Sequence, residues 1–228
     1  MKTTDDIIIA GDIHGEFGTL NTFINKHCPK IIISCGDFGY WPRMKEKSRG
    51  GRPKKLPTVK AGDTKVYFCD GNHEDHWSLN QLENNEVYPN VFYMKRGSVL
   101  TLDDGRNVLF MGGAQSIDKD MRLEGFDWFP EEEISWKDME NLPDPNTKID
   151  IVISHTCPSD ILSQVGGYNA NIEDWSRKAL SHIRQLYRPA LWYFGHFHMF
   201  KTFYALDCRW TVLNMTRASD WWIKLPNA

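Results

Sequence analysis

The chain has 228 residues, of which 41% are hydrophobic, 13% aromatic and 25% charged, a balance that gives a sizeable core and excludes disorder, collagen-like repeats and a disulfide-stapled miniprotein. Lys and Arg number 27 against 30 Asp and Glu, so a net charge of −3 excludes a bulk polyanion binder. The five cysteines, Cys28, Cys35, Cys69, Cys157 and Cys208, are widely spaced with no CxxC, which argues against a thiolate zinc site or a disulfide framework.

From the N-terminus, a short apolar run repeatedly stops at a polar motif, usually one that opens with glycine. Ile7 to Ala10 runs into Gly11-Asp12-Ile13-His14-Gly15, and Ile31 to Ser34 into Cys35-Gly36-Asp37. Val66 to Phe68 runs into Cys69-Asp70-Gly71-Asn72-His73, Ile151 to Ser154 into His155, and Leu191 to Phe194 into Gly195-His196-Phe197-His198. Runs of this length, rich in β-branched and aromatic residues, predict buried strands, and glycine lets the backbone turn sharply where they end. The first run is too short for a signal peptide and no segment is apolar enough to span a membrane, which predicts a cytoplasmic protein with reduced thiols.

Between the strands, Phe17, Leu20, Phe23 and Ile24 form one helical stripe. Ile172, Trp175, Ala179, Leu180, Ile183 and Leu186 form another, ending near Pro189. Val99 to Met111 reads as a hairpin turning at Asp103-Asp104-Gly105, and Phe200 to Leu206, Trp210 to Asn214 and Trp221 to Leu225 read as closing strands. The sum is a mixed α/β architecture. Residues 43–60 break the pattern: eight Lys and Arg face Glu46 alone, a local charge of +7 that leaves −10 on the rest of the chain. With Gly50, Gly51, Pro53 and Pro57 this is an exposed basic loop, and its position after Asp37 and before Asn72 predicts both ends beside the polar motifs.

Five of the eight histidines, His14, His73, His155, His196 and His198, fall in these motifs with Asp12, Asp37 and Asn72. Imidazole nitrogen with carboxylate and amide oxygen is a ligand set for Mn, Fe, Co, Ni or Zn, and the absence of thiolate argues against a structural zinc. His27, His76 and His182 lie on predicted helices or their edges and read as solvated or core-satisfied histidines.

The ordered series GDIHG, GD, GNHE, a lone His after a strand, and GHFH resembles the calcineurin-like metallophosphoesterase superfamily, from Gly11 to His198. The resemblance implies one catalytic domain over residues 1–228, a four-layer αββα sandwich of two mixed β-sheets with a di-metal site at the strand ends. It implies that Asp12, His14, Asp37 and His198 hold one metal and Asp37, Asn72, His155 and His196 the second, with Asp37 bridging. Two divalent ions, manganese foremost with iron, nickel, cobalt or zinc as alternatives, would share a hydroxide that attacks the phosphoryl group. His73, outside both ligand sets, would be the catalytic side chain, as general acid or transition-state stabiliser.

The stretch departs from the protein serine/threonine phosphatase branch, whose second motif runs GDxVDRG and whose third follows an Arg. Here Gly36-Asp37-Phe38-Gly39-Tyr40-Trp41-Pro42 and Asp70 stand in those places, so the phosphate-gripping arginines and the aspartate paired with the catalytic histidine are missing there. Lys119 and Arg122, after the predicted strand Val108 to Met111, and Arg43 in the basic loop are the candidate substrate contacts, with Trp41, Trp77 and Trp128 as candidate stacking surfaces. Gly112 to Arg122, with Trp128 to Glu132, resembles small bacterial and phage-encoded metallophosphoesterases. The expected activity is hydrolysis of a phosphate ester in a nucleotide or nucleic acid, recognised through the basic loop. The alternatives are a phosphomonoesterase of phosphoproteins or small metabolites and a non-catalytic binding scaffold.

Overall fold

A computed structural model describes residues 4–43, 58–166 and 173–227. Along the chain these form β1 (Ile7–Ala10), α1 (Phe17–His27), β2 (Ile31–Ser34), β3 (Lys65–Phe68), α2 (His76–Asn80), β4 (Glu86–Tyr88), β5 (Val91–Tyr93), β6 (Val99–Thr101) and β7 (Asn107–Met111). Then come α3 (Trp136–Glu140), β8 (Ile151–Ser154), α4 (Leu162–Val165), α5 (Trp175–Tyr187), β9 (Leu191–Phe194), β10 (Lys201–Ala205), β11 (Cys208–Val212) and β12 (Trp222–Lys224).

Two mixed six-stranded sheets result, in the orders β12-β1-β2-β3-β5-β4 and β10-β11-β9-β8-β7-β6. β1, β2, β3 and β5 are parallel in the first, β7, β8, β9 and β11 in the second, with antiparallel strands at the margins. Strand periodicity explains the layering. Ile8, Ala10 and Ile32 pack against Phe17, Leu20 and Ile24 of α1, while Ile9, Ile31 and Ile33 turn the other way and meet Val108, Phe110, Ile151, Ile153 and Tyr193 of the second sheet. The opposite residues of that sheet, Leu109, Met111, Val152, Trp192 and Phe194, pack on Ala179, Leu180 and Ile183 of α5. Helix, sheet, sheet and helix therefore stack as an αββα sandwich. Strands buried on both faces read as unbroken apolar runs, which is how they stand out in the sequence.

The predicted stripe of α1 is buried as read, and the Asp103-Asp104-Gly105 turn joins β6 to β7. α5 opens at Asp174, whose side chain accepts from the Arg177 backbone N–H; Ile172, read as part of its stripe, lies outside the described residues. Trp175 is an exception to that stripe, because it is partly exposed and packs its ring on Trp136. Cys35, Cys69, Cys157 and Cys208 are buried.

One expectation is corrected by topology. Residues 44–57, most of the basic stretch, lie outside the described residues, but both flanks are described. The outgoing flank ends at Arg43 beside Asp75, near the motif that follows β3. The return flank is held on α1, with Asn21 Nδ2 donating to Thr58 O at 2.9 Å and Lys60 N to Asn21 Oδ1 at 2.7 Å, and it leads into the start of β3. Because β3 is parallel to β1 and β2, its start lies at the edge opposite the polar motifs, so only one end of the stretch adjoins them.

Phe110 is fully buried between the sheets. Phe110→Ala is expected to lower stability by about 3–5 kcal/mol, read as a shift in the urea unfolding midpoint with little change in slope.

Candidate metal centre

Parallel strands deliver their C-terminal ends to one edge of a sheet, and the two packed sheets bring those edges together. Asp12 and His14 follow β1, Asp37 follows β2, and Asn72 and His73 follow β3, all from the first sheet; His155 follows β8 and His196 and His198 follow β9, from the second. The structure thus brings all seven candidate ligands and His73 to one seam.

The donors divide around the two oxygens of Asp37. Its Oδ2 lies 3.7 Å from His14 Nε2, while Asp12 Oδ2 lies 3.9 Å from the same nitrogen and 3.1 Å from His198 Nε2; the two imidazole nitrogens are 3.1 Å apart. On the other side, Asp37 Oδ1 is 3.3 Å from His155 Nε2, and Asn72 Oδ1 is 3.1 Å from both His155 Nε2 and His196 Nδ1. Asp12, His14 and His198 form a compact group able to hold a metal ion, and Asp37, Asn72, His155 and His196 form a second cluster of suitable donors.

The donor chemistry fits a cation. His155 Nδ1 meets Cys35 O at 2.9 Å, where only an N–H satisfies the carbonyl, so a neutral ring turns its Nε2 lone pair toward two oxygens. Electron pairs facing one another at this distance call for a positive charge between them, either a proton on Nε2 or a metal ion in its place. Burial opposes the imidazolium of His155, yet the Asp37 carboxylate outweighs it and raises the pKa to about 10. Next to it, burial and the charge on His155 push His196 down to about 3. Burial disfavours charge on Asp37 too, but His155 and the neighbouring histidines hold it well below the usual carboxylate range.

The backbone is bent to make this possible. His14, Asp37, His196 and His198 all have φ between +43° and +66°, the left-handed region that non-glycine residues seldom adopt. Two glycines supply clearance: a Cβ on Gly71 would overlap the Asp37 carboxylate, and one on Gly195 would overlap that of Asp12.

Several supporting residues carry no signal in one sequence, because they act through contacts between distant segments. Glu74, fully buried, accepts N–H groups from Phe38, Gly39 and Tyr40 at 2.5 to 3.2 Å and so fixes the chain leaving Asp37. Its carboxyl is pushed well up by burial and by the Asp37 charge, against those three donors. Arg96 pairs with Asp70 at 2.6 Å and donates to the carbonyls of Glu131, Glu132 and Glu133, tying the segment after β7 to the end of β3. Asn72 Nδ2 donates to Ser116 Oγ at 3.1 Å, and Ser116 donates to Glu132. His76 is a satisfied core histidine on Gly71 O, and His182 is exposed, in accord with their reading.

The predicted substrate contacts separate. Arg122 Nη2 lies 3.0 Å from His73 Nε2 while its guanidinium pairs with Asp118, and its Nη1 is buried without a partner. Lys119 is exposed, and its side chain makes no hydrogen bond or ion pair among the described residues. Arg43 is committed elsewhere: it forms a two-point pair with Asp75 at 2.6 Å and covers the exposed ring of Trp77. Trp41 uses its indole N–H on His73 O at 3.0 Å, a packing role rather than a free stacking face.

A family model described as calcineurin-like phosphoesterase matches residues 6–200. The chain belongs to the calcineurin-like phosphoesterase family. It is accordingly a hydrolase of phosphate esters whose family binds a divalent metal centre. Solved structures with the same fold include TT1561 of Thermus thermophilus, 14% identical over 94% of this chain and 91% of that one, with a TM-score of 0.53. GAP50, the anchor in the inner membrane complex of Plasmodium, is 14% identical over 92% of this chain and 71% of that one, with a TM-score of 0.50. Phosphopantetheinyl hydrolase (PptH) from Mycobacterium tuberculosis is 12% identical over 98% and 97% of the two chains, with a TM-score of 0.48. No curated protein matches the chain. Among the described residues no helix is long and apolar enough to cross a membrane.

Gly71→Ala is expected to displace the Asp37 carboxylate and reduce the ions retained per chain, counted by elemental analysis after dialysis against Mn²⁺. Asp37→Asn is expected to weaken both ions together, and two tightly bound ions in that variant would contradict a bridging role.

Proposed function

We propose that this phosphoesterase uses two divalent ions, manganese foremost, held by Asp12, His14, Asp37 and His198 on one side and by Asp37, Asn72, His155 and His196 on the other. The observation that carries the reading is Asp37, a buried carboxylate whose two oxygens face different sets of donors. Ions bound there supply a water that is nucleophilic at neutral pH and a clamp on the phosphoryl oxygens.

His73 and Arg122 act on the substrate side. His73 is pinned through its backbone, its N–H donating to Asp37 Oδ1 at 2.8 Å and its carbonyl accepting from Trp41. Arg122 is always a donor, so the contact at His73 Nε2 makes that nitrogen the acceptor and leaves the ring proton on Nδ1. Burial, with Arg122 and His14 adding to it against the pull of Asp37, lowers the His73 pKa and favours this neutral form. His73 therefore serves as a hydrogen-bond donor to the phosphoryl or leaving-group oxygen. The unpartnered Nη1 of Arg122 is a buried donor that a phosphoryl oxygen would satisfy. This pair takes the place of the missing Asp and Arg of the protein phosphatase branch.

The substrate is a phosphate ester of a nucleotide or nucleic acid, in a cytoplasmic setting. The +7 stretch from Arg43 to Lys60 supports this, since its outgoing end adjoins the site and such a density of charge attracts polyanions. Nucleotides, cyclic nucleotides, oligonucleotides and phosphopeptides compared with Mn²⁺ and with chelator test the reading. Metal-dependent turnover of phosphopeptides alone would overturn the substrate class, and no metal-dependent turnover of any of them would favour a binding scaffold.

His73→Ala is expected to slow turnover by ~10²-fold or more with both ions retained, measured as kcat alongside metal content. Arg122→Ala is expected to raise KM and lower kcat together, and unchanged values of both would remove Arg122 from substrate binding.

A further inference from the structure

Asn72 is the one candidate ligand whose two terminal atoms have opposite hydrogen-bonding character, so its usefulness depends on which way the amide faces. Facing as it does, Oδ1 points at His155 Nε2 and His196 Nδ1, and Nδ2 at Ser116 Oγ. The reverse orientation has its own attraction in the absence of a cation. Nδ2 would then donate to the Nδ1 lone pair of His196, capping a nitrogen needed as a ligand and removing the amide oxygen from the cluster.

What opposes that flip is the direction of the hydrogen bonds behind Asn72. Glu132 is fully buried, and its two oxygens are both engaged by Ser116: Oε1 accepts the backbone N–H at 2.6 Å and Oε2 the hydroxyl at 2.9 Å. With its only proton given to Glu132, Ser116 Oγ presents a lone pair to Asn72. A flipped amide would place Oδ1 against that lone pair, or force the hydroxyl to abandon a buried carboxylate, which is costly. We propose that Ser116 and Glu132 are positioning residues that lock the Asn72 amide with its oxygen toward the second ion, and so set the affinity of that ion alone. The inference rests on the two-ion reading above.

Two substitutions separate direction from packing. Ser116→Ala removes the acceptor for Nδ2. Glu132→Gln keeps the shape but reverses the chain: the Ser116 N–H requires the glutamine oxygen, so the glutamine NH₂ donates to Ser116 Oγ and turns the hydroxyl proton toward Asn72. Burial pushes Glu132 up to about 7, so measurements at pH 8 keep the wild-type carboxylate ionised.

The experiment is calorimetric titration of metal-depleted full-length protein with Mn²⁺ at pH 8, with electron paramagnetic resonance of the loaded samples. Wild type is expected to bind two ions and show a spin-coupled Mn²⁺ pair. Both variants are expected to bind the second ion ~10–100-fold more weakly, with the first unchanged and an uncoupled Mn²⁺ signal, while Ser116→Thr restores the pair. Equal weakening of both ions would mark a general structural role and overturn the proposal, as would two ions at wild-type affinity in Glu132→Gln. A wild type that binds only one ion would overturn the two-ion reading itself.

Discussion

Asp37 is a carboxylate almost wholly removed from water, and keeping it charged requires compensating groups on every side. Part of the compensation is local, from the His73 backbone N–H at 2.8 Å. The rest comes from histidines, His14 on the same sheet and His155 on the opposite one. A buried negative charge at the seam thus couples the two sheets electrostatically where Ile9, Ile33, Phe110 and Ile153 already couple them by apolar packing. Dispersion and hydrophobic burial hold the layers together, and the charge defines what the seam can bind.

The cost of this arrangement shows in the backbone. Left-handed conformations at His14, Asp37, His196 and His198 are unfavourable for residues with a side chain, and they persist because surrounding contacts over-determine them. Glu74 is one such contact. By gripping three successive N–H groups after Asp37, it satisfies donors that a chain leaving the sheet would otherwise bury without partners. The same logic applies to Arg96, whose guanidinium joins the carboxylate of Asp70 to three carbonyls of another segment. A charged residue in the third motif that could be mistaken for a ligand is thereby a structural tie.

Charge elsewhere is arranged unevenly. A net of −3 combines a basic stretch with an acidic remainder, and Arg43, the first residue of that stretch, is neutralised by Asp75. Arg122 is different, because its pairing with Asp118 leaves one buried nitrogen unspent beside His73. Position relative to the strand ends, rather than the amount of charge, distinguishes the two arginines.

The amino-acid order alone determined the strands other than β4 and β5, the α1 stripe, the β6–β7 hairpin and the polar motifs, because apolar periodicity and strand-end glycines are local properties. It also marked the histidines, since residue type and spacing are legible without coordinates. The return of the basic stretch on the far side of the sheet was not legible, because it depends on β3 running parallel to its neighbours. Nor were the roles of Glu74, Ser116 and Glu132, or the pairing of Arg122 with His73, whose partners lie 16 to 49 residues apart. Hydrogen-bond direction between segments so distant is decided only when the sheets pack, and that packing turns a set of metal-binding residue types into two facing groups of donors around one carboxylate.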